Sequence, residues 1–361
     1  MTIVDANLRV QALVEQGLTE VPKQFLHKVK EPLISDVSAT EQVPVIDLAG
    51  WPNSNREKII QEVGEVFETW GLFQIINHGV PLELLERTKE SAKLFFAKPA
   101  EEKMKYANKL PREGETAVPE GYGSKLGTNE TTSWNWRDFF EHHTFPLSRR
   151  NPLVWPAEPE FYRPTIEEYG GEIKQLAETL LSILSEHLKL HPTRLQEAIG
   201  VSGVYQNINF GCYPPCPQPD NVIGLLSHSD YGALTILWQN EVPGLQVRQN
   251  GTWVMVPPPA PGALIVNAGD TLEILSNGRY KSAEHRVVTN PHRTRISSAA
   301  FYDPAPEAVI SPLPELVSHG NTTKYKPVVH GAYVGALYST GLNGKEILEN
   351  YKTDVEQPLE P

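Results

Sequence analysis

Two histidines and an aspartate carry the chain's strongest chemical signal. His228 and Asp230 sit two positions apart in "LLSHSDYGALTIL" (residues 225 to 237), a polar knot between two apolar, strand-like runs. In an extended strand residues i and i+2 point to the same side, so imidazole and carboxylate would face one point in space, as a metal ion requires. Chance alone supplies about one His-x-(Asp/Glu) among 11 histidines and 44 acidic residues, so the pair needs a third ligand to carry weight. His285, in the strand-like stretch "YKSAEHRVV", is the candidate. Two imidazoles and one carboxylate suit a non-haem iron(II) site, which leaves three adjacent coordination positions open for an oxidant and a co-substrate. The same three side chains would serve a hydrolytic zinc ion only if a general base stood beside them.

Ten residues beyond His285, Arg295 and Ser297 in "RIS" share one face of a strand by the same two-residue period. An arginine beside a hydroxyl can grip a carboxylate through charge-assisted hydrogen bonds. Without the three metal-ligand candidates, Arg295 would read as a surface residue of the basic run "HRTR". The two cysteines, Cys212 and Cys216 in "CYPPCPQP", are too few for a disulfide framework, and a thiolate zinc site would lack its second pair.

These residues need a scaffold, and the composition allows one. A chain of 361 residues, 40% hydrophobic and 21% charged, is that of a soluble globular protein with one large domain or two ordinary ones. The net charge of -12 argues against nucleic acid or an anionic membrane as partner, since either favours a basic face. No stretch approaches the roughly 18 to 20 apolar residues of a membrane span, and the first residues lack a basic leader, so a cytoplasmic location is expected. The expected partner is a small molecule; oligomeric state is not legible.

Periodicity places the elements. A short amphipathic helix is expected over residues 4 to 16, a strand over 43 to 50, and a helix whose stripe Ile59, Val63, Val66, Phe67 and Trp70 stops at Gly71. A strand follows in "LFQIINHGV", then a helix from Pro81 to Phe96 with Pro81 in its first turn. Residues 107 to 133 read as a long loop, and Pro164 to Leu188 as the longest helix. From Val204 to Phe301 short β-rich runs alternate with Gly, Pro and Asn turns, the pattern of a β-barrel or jelly roll with helices outside it.

With these motifs in order, the chain resembles the plant 2-oxoglutarate- and iron(II)-dependent dioxygenases over nearly its whole length. "VPVIDL", "WGLFQIINHGV" and "EEKMKYA" are similar to that family's N-terminal region, and "CYPPCPQPD", "SHSDYGALTIL", "VPGLQV", "VNAGDTLEILSNGRYKSAEHRVV" and "RISSAAFYDP" to its catalytic double-stranded β-helix. The resemblance implies a mainly β jelly-roll core with a mixed α/β N-terminal region. The divisions it implies are 1–155 for that region, 156–200 for a linking helix, 201–310 for the core and 311–361 for a C-terminal segment. It further implies His228, Asp230 and His285 as iron(II) ligands, and Arg295 with Ser297 as the clamp on the tail carboxylate of 2-oxoglutarate. Tyr213 matches a tyrosine that helps hold this co-substrate, O2 is the oxidant, and ascorbate keeps the iron reduced. Hydroxylation or desaturation of a small plant metabolite would follow. A cupin-like binding protein would share the barrel but needs neither the triad nor the clamp.

Within the family, "GYGSKL", "WNWRDFFEHHTFPLSRRNPLVWP" and "NEVPGLQV" most resemble the anthocyanidin synthase and flavonol synthase branch. That resemblance implies a flavonoid stacked on Phe139 and Phe301, with Tyr122 and Lys125 in the nearby loop. Taken singly, each aromatic reads as ordinary core. The chain departs from the branch at Asn209, where a pocket lysine stands, at Asp303, where a glutamate stands, and at Gly211, where the family usually has asparagine. Asn209 supplies no cation for a carboxylate hormone, a duty that Lys125 or Arg137 would have to take over.

Overall fold

Alternation of apolar and polar residues builds two facing sheets that hold the candidate ligands between them. The structure, a computed structural model, describes residues 9–27, 42–108, 120–124, 134–200, 203–317 and 322–353. Twelve strands make the sandwich: β1 (Val45–Asp47), β2 (Leu72–Ile76), β3 (Gly121–Gly123), β4 (Asp138–Phe145), β5 (Tyr205–Tyr213), β6 (Ile223–His228), β7 (Leu234–Gln239), β8 (Leu245–Gln249), β9 (Thr252–Met255), β10 (Leu264–Ala268), β11 (His285–Val288) and β12 (Arg295–Asp303). Eight form the major sheet in the order β1-β2-β10-β7-β12-β5-β4-β3, and four form the minor sheet in the order β6-β11-β8-β9. The jelly-roll expectation is met, and strands from the N-terminal region extend the same major sheet.

The two faces of the major sheet differ in what covers them. Its outer face, carrying Phe140, Ile208, Phe210, Ala300 and Tyr302, packs on helices in one large apolar core. Those helices are α2 (Arg56–Thr69), α3 (Leu82–Phe96), α4 (Ala100–Met104), α5 (Tyr162–His187) and α6 (Arg194–Ile199), whereas α1 (Val10–Glu15) packs in a separate cluster with Phe25, Trp136 and Val222. α5, the longest, buries Ile166, Tyr169, Ile173, Leu176, Leu180 and Leu184, the stripe its 3.6-residue period sets out. α2 ends at Gly71, whose φ of +68 suits glycine, and a Cβ there would meet the Lys281 carbonyl at 2.2 Å. The inner face turns toward the minor sheet, with a smaller apolar cluster including Leu72, Leu225, Leu245, Val247 and Val287. No helix among the described residues is long and apolar enough to cross a membrane.

Some elements differ from the sequence expectation. Gly121–Gly123, expected within a loop, is the edge strand β3, because it pairs with β4. Pro81 caps α3 from outside instead of lying in its first turn. Of the helix expected over 4 to 16, residues 10 to 15 are helical and 4 to 8 lie outside the described residues. A short helix, α7 (Asp270–Leu275), joins β10 to β11, and α8 (His330–Thr340) and α9 (Glu346–Asn350) follow β12.

Candidate active site between the two sheets

Antiparallel pairing brings the two histidines together across 57 residues of sequence: His285 on β11 is the direct register partner of His228 on β6. Their ring centroids stand 4.3 Å apart. β6 ends at His228, so Asp230 lies just past the strand, yet its Oδ1 is 3.6 Å from His228 Nε2 and 3.8 Å from His285 Nε2. One ligand atom from each of the three residues lies within 4.8 Å of the other two, and all three residues are buried.

The surroundings aim these atoms. His228 Nδ1 donates to the Leu226 carbonyl at 2.7 Å and His285 Nδ1 to the Ala283 carbonyl at 2.9 Å, which leaves each Nε2 lone pair facing the centre. Asp230 Oδ2 accepts from Thr235 Oγ1 at 2.6 Å and from Asn267 Nδ2 at 2.8 Å, so Oδ1 is the oxygen left to bind a metal. Burial, reinforced by His285, pushes His228 down to about 3, keeping its imidazole neutral as metal ligation requires. For Asp230 burial acts upward, but the two imidazoles with Thr235 and Asn267 outweigh it and hold the carboxyl below its ordinary range. A buried carboxylate facing two imidazoles whose Nε2 atoms point inward is a donor set that fits iron(II) and leaves one side open.

The inner face of the major sheet is a grid whose rows follow from register. Arg295 pairs with Tyr213, Ser297 with Gly211, Ala299 with Asn209, Phe301 with Asn207 and Asp303 with Tyr205. On the far side of β12, Ser297 pairs with Gln239 and Phe301 with Thr235. Arg295 is almost wholly buried; it donates to Gln239 Oε1 at 2.6 Å and to Ser297 Oγ at 3.2 Å, and its guanidinium lies 5.0 Å from the Tyr213 ring centroid. Burial lowers its pKa, opposed by Tyr213, and its Nε finds no partner among the described residues. An orphaned donor on a buried guanidinium is where a carboxylate would bind. Gly244 permits this placement, because a Cβ there would stand 2.9 Å from Arg295 Cδ.

Triad, Arg295, Ser297 and Tyr213 line one cavity, together with Arg137, Asn209, Phe301 and the apolar side chains of Leu72, Leu225, Leu237, Leu245 and Val287. Phe301 is stacked with Tyr231 at 6.4 Å and 18°. Asn209 faces the cavity and donates at 2.5 Å to Oε2 of Glu141, its register partner on the same face of the sheet. Burial pushes that carboxyl up to about 7. Asp303 continues the Phe301 row; burial and Asp230 raise its pKa well above the ordinary range, and its Oδ1 sits 1.8 Å from where a Gly232 Cβ would be. Gly211 backs the clamp, with Tyr213 Oη 3.4 Å and Ser297 Oγ 3.3 Å from where its Cβ would stand.

The two expected pocket aromatics on β3 and β4 fall on opposite faces of the sheet. Tyr122 points to the helix side of the sheet, donates to Asp138 Oδ2 at 3.0 Å and lies under the Arg9 guanidinium, because β3 pairing sets it opposite the core residue Phe140. Phe139 lies on the inner face opposite Gly211, with its ring tip at Gly123 and the cavity-lining Arg137 5.3 Å from its centroid. Lys125 lies outside the described residues. Thr235, Asn267, Gln239, Gly244 and Glu141 were invisible as site residues, since only register relates them to the triad.

The profile of the 2OG-Fe(II) oxygenase superfamily matches residues 203–304, and that of the non-haem dioxygenase N-terminal region, described from morphine synthesis, matches residues 43–158. Jasmonate-induced oxygenase 4 of Arabidopsis thaliana is 38% identical over 94% of this chain and 96% of its own. Leucoanthocyanidin dioxygenase of Perilla frutescens is 38% identical over 88% of this chain and 90% of its own. The crystal structure of JOX2 in complex with 2OG, Fe and JA superposes with a TM-score of 0.86 at 36% identity, covering 98% of both chains.

Proposed function

The chain belongs to the 2OG-Fe(II) oxygenase superfamily, and from that premise we propose that it hydroxylates or desaturates a flavonoid-sized ring compound, such as a flavanone or dihydroflavonol. His228, Asp230 and His285 would hold iron(II), and Arg295, Ser297 and Tyr213 the tail of 2-oxoglutarate. Bound iron supplies the oxidation, in which 2-oxoglutarate and O2 become succinate and CO2 while the organic substrate gains a hydroxyl or loses two hydrogens. The residues themselves orient and shield. Carbonyl-anchored imidazoles fix the open side of the metal, Arg295 sets the direction from which the co-substrate enters, and the leucine and valine walls exclude water from the reacting C–H.

The observation that carries the ring-compound reading is Phe301. It stands on the same strand face as Arg295 and Ser297, lines the cavity that holds the triad, and is backed by Tyr231, so a flat ring lying on it would face the metal. Likeness to leucoanthocyanidin dioxygenase supports the same class. A ring-bearing acid is the second reading, favoured by the cation Arg137 in the cavity wall and by likeness to jasmonate-induced oxygenases. The test is succinate release by iron-loaded protein across flavanones, dihydroflavonols, other phenolics and ring-bearing acids, with product masses. A flavanone product lighter by two hydrogens means desaturation and one heavier by an oxygen means hydroxylation. Stimulation by acids alone would overturn the flavonoid assignment.

A further inference from the structure

We infer that Arg137 is an anion subsite for the organic substrate: it receives an ionised oxygen, a carboxylate or an acidic phenolate, on the molecule to be oxidised. The inference rests on the oxygenase function proposed above and narrows its substrate. Arg137 lies just before β4, is 6% exposed, and lines the same cavity as the triad. Its guanidinium rests 5.3 Å from the Phe139 ring centroid, which fixes its plane, and its Nε has no hydrogen-bond partner among the described residues. A buried guanidinium without an anion is costly, so such a group marks where one arrives.

The other charges near it are committed. Arg295 is held by Gln239 and Ser297 at the opposite pole, and Arg149 donates to Asn207 and bonds His143. Glu141 accepts from Asn209, and Arg149 and Arg137 act on it electrostatically against the upward push of burial, but no hydrogen bond joins it to Arg137. Among the described residues that line the cavity there are two guanidinium groups and one carboxylate. With a divalent metal and the 2-oxoglutarate dianion in place, four positive charges face three negative ones, and a substrate monoanion removes the excess. Arginine's fixed fork suits a carboxylate in two contacts or a phenolate in one, so both sources share this chemistry.

The experiment is equilibrium binding to the full chain loaded with Mn(II) and N-oxalylglycine, an unreactive 2-oxoglutarate analogue. Two probe pairs are used: cyclopentylacetic acid against its methyl ester, and 7-hydroxyflavanone against 7-methoxyflavanone at a pH that ionises the phenol. The expected result is that one ionised probe binds on the order of 10- to 100-fold tighter than its capped partner, the span of a charge-assisted contact. Arg137→Met should erase that preference, Arg137→Lys should keep part of it, and N-oxalylglycine affinity should not move. Which pair responds identifies carboxylate or phenolate. Absence of any preference, its survival in Arg137→Met, or a loss of N-oxalylglycine affinity instead would overturn the inference. Failure of the proposed function reads differently: the Arg137-dependent preference persists, but no probe or panel compound stimulates succinate release.

Discussion

Thr235→Val removes one hydroxyl and almost no volume, and it separates the ligand Asp230 from one of the two groups that aim it. Asp230 Oδ2 accepts from Thr235 Oγ1 at 2.6 Å and from Asn267 Nδ2 at 2.8 Å, and all three residues are buried. A hydrogen bond to a charged acceptor is worth about 1.5–3 kcal/mol, and outer contacts of metal ligands typically govern about 10- to 100-fold in metal affinity. Because 1.4 kcal/mol is a factor of ten, the two figures agree, and the expected loss is roughly 10-fold with Asn267 still in place. Titration of metal-free protein with Mn(II), which binds without consuming O2, measures it. Thr235→Val with Asn267→Leu should fall further, toward 100-fold, while far-ultraviolet circular dichroism stays native. Unchanged metal affinity in the double variant would refute the view that Oδ2 anchoring delivers Oδ1 to the metal.

Other perturbations act at separate points of the grid. Gly244→Ala sets a methyl 2.9 Å from Arg295 Cδ and should raise the KM for 2-oxoglutarate by about 10-fold or more with kcat largely kept, as loss of a positioned charge-assisted contact implies; an unchanged KM would count against Arg295 as the clamp. Gly232→Ala drives a Cβ into Asp303 Oδ1 and should cost about 1–3 kcal/mol in urea unfolding, with Asp303→Ala restoring most of it; equal midpoints for wild type and Gly232→Ala would contradict the packing. Glu141, raised from 4.5 to about 7 by burial, binds its proton more tightly folded than unfolded, so its contribution is full below about pH 4.5 and lost as pH rises through about 7. Over that window it removes about 3 kcal/mol of stability, and Glu141→Gln should flatten the fall in urea midpoint between pH 5 and pH 8. Asp303, shifted the same way, leaves a residual slope. An identical pH profile in Glu141→Gln would show that its carboxyl is not held protonated.

Legibility followed the range of the interactions. The α5 stripe from Ile166 to Leu184 and the spacing of His228 and Asp230 are local patterns, and they could be read directly. β3 could not, because Gly121–Gly123 has no strand propensity of its own and exists by pairing with β4. Tyr122 shows the same limit: one residue of register decides whether a side chain faces cavity or core, and pairing opposite Phe140 sends it to the core. Thr235 and Asn267 meet Asp230 only because β7, β10 and the turn after β6 converge, which no spacing along the chain records. Arg137 is intermediate, visible as a cation near an aromatic run but identified with the cavity only by its burial there.

The most direct measurement is anaerobic addition of 2-oxoglutarate to the Fe(II)-loaded chain, watching for the visible charge-transfer absorption of a chelated 2-oxo acid. Wild type should develop the band, Arg295→Ala should need far more 2-oxoglutarate to do so, and Asp230→Ala should not form it at all. A full-strength band in Asp230→Ala at wild-type 2-oxoglutarate concentrations would contradict the site built from His228, Asp230, His285 and Arg295.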